Sequence, residues 1–175
     1  MSNSERTPPA GSDGDPAPAT GERSYGLSPV EDLQRLSGLE FLSRIRDRRL
    51  PAPPIARTLG FELTEVEQGR ALFVGMPSFD YYNPIGSVHG GWPATLLDSC
   101  MGCAVHSALP PGSGYTTIEF KIDILRPITE STGPVTAEGQ TVRVGRRVAV
   151  AHGELRDAEG RILARGSSNC LILSH

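Results

Sequence analysis

One short segment brings together residue types suited to chemistry at a carbonyl group. It runs from Asn83 to Asp98 and contains the run His89-Gly90-Gly91 at the start of a predicted helix. Backbone N–H groups at a helix start lack partners within the helix and carry partial positive charge. Glycine allows a ligand atom to approach these groups closely. Such a helix start can therefore hold the oxyanion that forms when a carbonyl group, for example that of a thioester, is attacked.

Asp98 is the second chemical feature, because it is the only Asp, Glu, Lys or Arg between Asp80 and Glu119. Its helical neighbours are apolar, namely Ala94, Leu97, Met101 and Val105. An ionised carboxylate in such surroundings is costly unless it is paired, hydrated or used. Asp98 lies about two turns beyond the glycine pair, and this spacing does not place both on one helix face. A partner subunit could supply the second half of the site, whereas the structural alternative is a carboxylate that caps a neighbouring loop.

Other polar residues near this segment also have structural interpretations. His89 is a residue type that often orients a turn by bonding to backbone, and Asn83 before Pro84 is a common turn residue. Ser87 and His89 lack the Gly-x-Ser-x-Gly elbow of Ser-His hydrolases. Cys100 and Cys103 have redox or zinc spacing, but they lie in mid-helix, where no helix end lowers a thiol pKa. We therefore predict no metal site, and the small residues around Cys103 favour close packing of a sheet on the helix.

One long helix among strands must position these residues. The helix is predicted over residues 90–108, about five turns. Residues 59–66 and 71–76 form a predicted hairpin that turns at Gln68-Gly69. Four further strands are predicted at 116–124, 135–144, 148–155 and 161–173. The order β-β-α-β-β-β-β predicts an α+β fold, with an antiparallel sheet packed on one long helix.

The strand at 116–124 has the clearest alternation. One face carries Thr116, Ile118, Phe120, Ile122 and Ile124, and the other carries polar residues. This pattern predicts a half-buried strand with the isoleucines on the buried side. Thr117 then lies on the opposite, polar side, so it would serve a site only if an interface lies there, and Thr116 is the alternative.

The remaining composition sets the domain organisation and excludes several function classes. Residues 1–24 are rich in Pro, Gly, Ser and Asp and are predicted to be a disordered tail. Residues 25–54 form a predicted helical extension, which Gly38 divides and prolines end, and residues 55–175 form the main domain. The net charge of −3 and the lack of a long apolar run favour neither nucleic acid nor membrane as a partner. We expect a cytoplasmic protein without disulfides.

The central segment resembles the PaaI-type (phenylacetate-degradation) thioesterases of the hotdog superfamily. In that family an Asn in the loop precedes His-Gly-Gly, and an acidic residue follows about eight positions along the helix, as Asn83, Gly90 and Asp98 do here. The similarity runs from residue 59 to residue 173. It includes the segments Thr117-Ile-Glu-Phe, Leu125-Arg126-Pro127 and Gly145-Arg146.

This resemblance implies a curved sheet wrapped around the helix and subunits that pair edge to edge. The expected assembly is a homodimer or a dimer of dimers, with active sites at the dimer interface. The implied reaction is hydrolysis of an acyl- or aryl-CoA thioester without a metal or other cofactor. The Gly90 N–H would polarise the carbonyl, Asn83 and His89 would orient the carbonyl and the loop, and Thr117 would hold the water. Asp98 of the partner subunit would act as nucleophile or general base.

Binding of CoA has separate candidate residues. Gly91 and Thr116 lie beside the implied catalytic residues, and Arg143 and Arg146 flank a hairpin at Gly145. Guanidinium groups suit phosphates, although a solvated hairpin is the structural alternative. Two other functions stay open at this level. One is a hotdog module that binds acyl- or aryl-CoA without hydrolysing it, and the other is a hydratase-like enzyme.

Overall fold

The computed structural model describes residues 23–174 and contains one six-stranded antiparallel sheet in the order β1-β2-β4-β5-β6-β3. The strands are β1 (Phe61–Glu67), β2 (Arg70–Gly75), β3 (Ser113–Ile124), β4 (Val135–Val144), β5 (Val148–Arg156) and β6 (Ile162–Ser174). The helices are α1 (Val30–Arg35), α2 (Gly38–Arg46), α3 (Pro54–Thr58) and α4 (Gly91–Ser107), with 3-10 turns at Phe79–Tyr81 and Glu130–Thr132. The predicted α+β hotdog arrangement is confirmed. None of the helices within residues 23–174 is long and apolar enough to cross a membrane.

The sheet wraps closely around α4, and this contact forms the core. Leu96, Leu97 and Met101 of α4 are fully buried. Glycines on β4 and β5 let the strands approach the helix backbone: a Cβ at Gly139 would overlap the Cys100 carbonyl, and a Cβ at Gly153 would lie 2.9 Å from Met101 Cγ. The small residues of both elements therefore set the distance between sheet and helix, as the sequence predicted for this helix.

A β-bulge in β3 changes which of its side chains face α4. The pairing with β6 shifts between Thr117 and Glu119, so Ile118 is the extra residue. Thr117 pairs with the buried Cys170, and beyond the bulge Ile122 pairs with Gly166, whose missing Cβ faces Met101. Because a bulge reverses the alternation, Thr117 and Ile122 both face the helix.

The predicted orientation of this strand was therefore wrong in its first half. Ile118 is 58% exposed, although its apolar character placed it on the buried side. Thr116 is exposed as well and lies on the face away from α4. Thr117 is the hydroxyl that β3 directs towards the helix.

The N-terminal extension packs against the open side of this layer. Ser37 begins α2 with a capping box to Glu40, and Gly38 sits so close to the His106 carbonyl that a Cβ would not fit. The predicted division at Gly38 is confirmed, since α1 ends at Arg35. The short helix α3 was not predicted, and β1 starts after it at Phe61.

The domain boundaries inferred from composition remain predictions. The predicted disordered tail comprises residues 1–24. Residues 1–22 lie outside the described part of the chain, so that the structure describes the last two residues of the tail. Arg23 and Ser24 are described, and the Ser24 carbonyl accepts a hydrogen bond from the Ala52 N–H at 2.9 Å.

Gly139→Ala tests the close contact between sheet and helix. The added Cβ would meet backbone atoms of α4, which cannot move aside as a flexible side chain can. We expect the free energy of unfolding to fall by about 1–3 kcal/mol or more, as measured by urea denaturation. Gly26→Ala is the control, because its added Cβ would have an ordinary 3.8 Å contact with Pro51. Equal stability of both variants would contradict this account of the core.

Candidate active site

A single hydrogen bond joins the two polar side chains at the centre of the site. Thr117 Oγ1 on β3 donates to Asp98 Oδ1 on α4 over 3.0 Å. Asp98 is half-buried, and within residues 23–174 its carboxylate forms no ion pair. Its hydrogen-bond partner within residues 23–174 is a side chain of a strand and not a loop, so it does not act as a loop cap there. The carboxylate is therefore oriented by a hydroxyl, and no cation of residues 23–174 neutralises it.

The start of α4 offers one free backbone donor. Gly90 precedes the helix at φ −58° and ψ −19°. Its N–H has no acceptor among the described residues, whereas the Gly91 N–H donates to His89 Nδ1 at 2.9 Å and the Trp92 N–H donates to the His89 carbonyl at 2.9 Å. Gly90 is thus available to a ligand oxygen. The N–H of Gly91, the other candidate of the pair, is already bonded.

His89 and Asn83 both hold the loop before α4. The Nδ1 of His89 accepts a hydrogen bond, so a neutral imidazole carries its proton on Nε2, and the ring is exposed. The Asn83 side chain accepts from the Ile85 N–H at 3.0 Å and donates to Ser87 Oγ at 3.3 Å. Both residues order the loop that carries Gly90, which agrees with an orienting function.

Aromatic side chains fix the same loop, and sequence reasoning did not identify them. Trp92 is almost fully buried and donates from Nε1 to the Leu59 carbonyl at 2.9 Å. Tyr81 stacks on it with ring centroids 6.0 Å apart, and the Tyr81 carbonyl accepts from the His89 N–H at 2.7 Å. A cavity of about 430 Å³ beside His89 and Trp92 leads to the helix start. The aromatic residues at positions 81 and 92 were the feature of the sequence from which this contact could have been predicted.

Within one chain, the donor and the carboxylate are too far apart to act on the same bond. Gly90 and Asp98 are separated by eight residues, which corresponds to roughly 12 Å along a helix axis. A reacting carbonyl needs both its oxyanion donor and its base within about 3 Å. Within one chain, the Gly90 N–H and the Thr117–Asp98 pair are therefore two separate candidate positions, and one carbonyl group cannot contact both.

The other predicted residues lie outside this arrangement. Thr116 is on the opposite face of β3 from Thr117. Arg143 and Arg146 are exposed around the hairpin between β4 and β5, and no ion pair involves either of them in the described part of the chain. The structure does not bring them into contact with Gly90 or Asp98 of the same chain.

The cysteines have no features of a reactive or metal-binding site. Burial raises the pKa of the Cys103 thiol to about 12, and the nearby Asp98 carboxylate adds to the rise. Burial raises the pKa of Cys100 even further. All three cysteines are free, and residues 23–174 contain no cluster of three His, Cys, Asp or Glu side chains that could hold a metal ion. The close-packing interpretation of this segment fits the structure.

Comparison with known proteins identifies the class. The model of the thioesterase superfamily matches residues 85–164. A "putative esterase" of Saccharolobus solfataricus is 32% identical over 123 residues, which cover 70% of this chain and 85% of that protein. Another "putative esterase", from Halobacterium salinarum, is 44% identical over 68 residues, 38% of this chain and 43% of that protein.

Solved structures agree with the sequence relatives. The crystal structure of a "putative thioesterase, phenylacetic acid degradation-related protein" from Ralstonia eutropha matches with a TM-score of 0.68 and 27% identity. The match covers 74% of this chain and 98% of that one. The chain belongs to the thioesterase superfamily and is a thioester hydrolase with the hotdog fold.

Thr117→Val tests whether the hydroxyl serves the carboxylate. The change keeps a β-branched side chain but removes the donor to Asp98, so the carboxylate loses its fixed orientation. We expect kcat/KM for thioester hydrolysis to fall about 10-fold to 100-fold, because small errors of position are costly in catalysis. Thr116→Val is the matched control on the outward face of the same strand. Similar activities of the two variants would argue against a function of the Thr117–Asp98 bond.

Proposed function

We propose that this chain hydrolyses acyl-CoA thioesters to the free acid and CoA, with Asp98 as the reacting carboxylate. The hydrogen bond from Thr117 to Asp98 is the observation that carries the proposal. It fixes a carboxylate that no cation neutralises in the described part of the chain, on a helix whose buried residues are mostly apolar. The free Gly90 N–H adds a donor for the carbonyl oxygen. The choice of a CoA ester as substrate is supported by the similarity to PaaI-type thioesterases.

These groups suit a general-base reaction. The Gly90 N–H donates to the thioester oxygen and stabilises the negative charge that develops there. Asp98 accepts a proton from a water molecule as the water oxygen attacks the carbonyl carbon. When the tetrahedral intermediate collapses, the C–S bond breaks, and the proton held by Asp98 passes to the sulfur of the departing CoA.

Direct attack by Asp98 is the other route that the arrangement allows. The carboxylate would displace CoA and form an acid anhydride, which water then hydrolyses. Thr117 bonds to Oδ1 in the structure, so Oδ2 is the oxygen available for either reaction. In both routes the threonine is a positioning residue for the carboxylate.

We propose that two subunits complete each site. Strand β3 lies at the edge of the sheet and exposes apolar side chains, with Ile118 58%, Phe120 42% and Ile124 49% exposed. An apolar edge strand is prone to pair with another strand. Pairing of β3 with its copy would form a twofold dimer, as a homodimer or within a dimer of dimers, with two identical sites. Each site would combine Gly90 of one subunit with Asp98 of the partner subunit.

The phosphates of CoA have candidates in the exposed hairpin. Arg143 and Arg146 are exposed and form no ion pair within residues 23–174, so their guanidinium groups are available for phosphate oxygens. Their function depends on the same dimer, because neither contacts Gly90 or Asp98 of its own chain.

Asp98→Asn tests the proposed chemistry. Asparagine has nearly the same shape and still accepts a hydrogen bond from Thr117, but it can neither take up a proton nor attack as a carboxylate. We expect kcat to fall about 100-fold to 10,000-fold on a panel of acyl- and aryl-CoA esters, measured by thiol release. The melting temperature should change little. Asp123→Asn is the control, since this carboxylate lies on β3, the strand that carries Thr117, and pairs with Lys121 and Arg165 instead.

The same assay separates the alternatives. Full activity of Asp98→Asn would overturn the assignment of the reacting carboxylate. If the unmodified protein releases no thiol from the whole panel but a CoA ester raises its melting temperature, the chain is a binding module for CoA esters.

A further inference from the structure

The Gly90 N–H and the Thr117–Asp98 pair lie along the same edge strand, β3. A Cβ built on Gly90 would be 3.0 Å from Ile124 Cδ1, so Gly90 lies beside Ile124, the last residue of β3. Asp98 lies beside Thr117, near the other end of the strand. Both contacts are on the face of β3 that points to α4. The two contacts are separated by six residues once the bulge is set aside, which corresponds to about 20 Å along the strand.

β3 is the edge of the sheet that suits pairing with a second copy of the chain. The sheet ends in β1 on one side and in β3 on the other. β1 contains a bulge and exposes Glu62, Glu65 and Glu67, features that discourage pairing of an edge strand. β3 instead exposes apolar side chains, with Phe120 42% and Ile124 49% exposed. A twofold axis that brings two β3 strands together makes them antiparallel.

The positions of the catalytic groups restrict where this axis lies. Opposite residues of an antiparallel pair point to the same face, so the axis passes between a residue and its own copy. An axis at Lys121, the midpoint of the stretch, would place Gly90 of one subunit directly opposite Asp98 of the partner subunit. Each residue by which the axis moves adds about 7 Å of offset along the strand. An oxyanion donor and a base that share one carbonyl are about 6 Å apart, so the axis lies at Phe120, Lys121 or Ile122.

The charges on the face of β3 that points away from α4 disfavour two of these positions. An axis at Lys121 would set Lys121 against its own copy and Glu119 against Asp123 of the partner subunit. Like charges directly opposite each other destabilise a strand pair. An axis at Ile122 would set Lys121 against Asp123 of the partner subunit. Asp123 already pairs with Lys121 at 3.4 Å and with Arg165 at 3.6 Å in its own chain, so it gains little there.

We propose that two copies of the chain pair through β3 about a twofold axis at Phe120, with Lys121 of each subunit opposite Glu119 of the partner subunit. Glu119 accepts a hydrogen bond from the Asn169 amide at 3.0 Å, and within residues 23–174 it forms no ion pair. The Lys121 side chain is 74% exposed, so its ammonium group is accessible to this carboxylate. The two Phe120 side chains meet at the axis, where an aromatic pair adds to the stability of the strand pair.

This register gives each active site a wall from the partner subunit. Counted from the axis and past the bulge, Ile124 lies opposite Tyr115 of the partner subunit. A carbonyl group at the Gly90 N–H is then close to Tyr115 and Thr117 of the partner subunit. The inference rests on the proposed function, because the position of the axis follows from one carbonyl group that contacts both Gly90 and Asp98.

Three single-cysteine variants locate the axis: Phe120→Cys, Lys121→Cys and Ile122→Cys. Each is oxidised with glutathione disulfide and examined on non-reducing gels beside the unmodified protein. Directly opposite residues have Cα atoms about 4.5–5.5 Å apart, within the range of a disulfide, whereas a cysteine one residue from the axis is about 8 Å from its copy. We therefore expect a covalent dimer from Phe120→Cys and none from the other two. A covalent dimer from Lys121→Cys or Ile122→Cys but not from Phe120→Cys would overturn the register.

Charge reversal gives a second measurement that needs no added cysteine. Glu119→Lys or Lys121→Glu alone sets like charges opposite each other twice in each dimer. We expect the dissociation constant of the dimer to rise about 10-fold to 100-fold, as measured by analytical ultracentrifugation. Both substitutions in one chain recreate the two pairs with the charges exchanged and should restore the dissociation constant. Glu67→Lys is the control, because it makes the same change on a 72% exposed side chain of β1, the opposite edge.

The outcomes separate the register from the proposed function. A Glu119→Lys protein that dimerises as tightly as the unmodified protein, or more tightly, would overturn the register, since an axis at Lys121 sets the new lysine against Asp123. A monomeric unmodified protein would overturn it as well. Covalent dimers of Phe120→Cys, without thiol release by the unmodified protein, would support the register and overturn the hydrolase mechanism. Thiol release with covalent dimers at another position would have the opposite meaning.

Discussion

The close contact between the sheet and α4 is the constraint on which the rest of the structure depends. The missing Cβ atoms of Gly139 and Gly153 let the strands reach the backbone and side chains of the helix. The helix is consequently buried along its sheet-facing side, and its position relative to β3 is fixed. That fixed position allows Thr117 to meet Asp98 at hydrogen-bond distance. At the other end, Trp92 and Tyr81 hold the loop so that the Gly90 N–H remains free.

The sequence predicted the features that local patterns determine. A long run of small and apolar residues after a glycine pair indicated α4, and alternating residues between turns indicated the strands. The bulge at Ile118 could not be predicted in this way, because it depends on how β3 pairs with β6. That one extra residue reversed the expected orientation of Thr117. The short helix α3 was missed because its sequence, Pro54–Thr58, begins within a proline-rich stretch that favours a break.

The residue types of the candidate site could be predicted from the sequence, but the hydrogen bonds between them could not. The isolated carboxylate and the glycine pair pointed to Asp98 and Gly90 from chemistry alone, while the family resemblance supplied Asn83, His89 and Thr117. The difference between Gly90 and Gly91 became visible only through the hydrogen bond from Gly91 to His89.

The central claim is that each active site combines Gly90 of one subunit with Asp98 of the partner subunit. Gly90→Pro removes the free N–H at a φ of −58°, which proline adopts readily, and Asp98→Asn removes the carboxylate. Each variant alone should be nearly inactive. In mixed dimers, one of the two sites contains neither substitution, so random mixing should restore about a quarter of the unmodified activity. A co-refolded mixture that contains mixed dimers and is no more active than either variant alone would contradict the shared site.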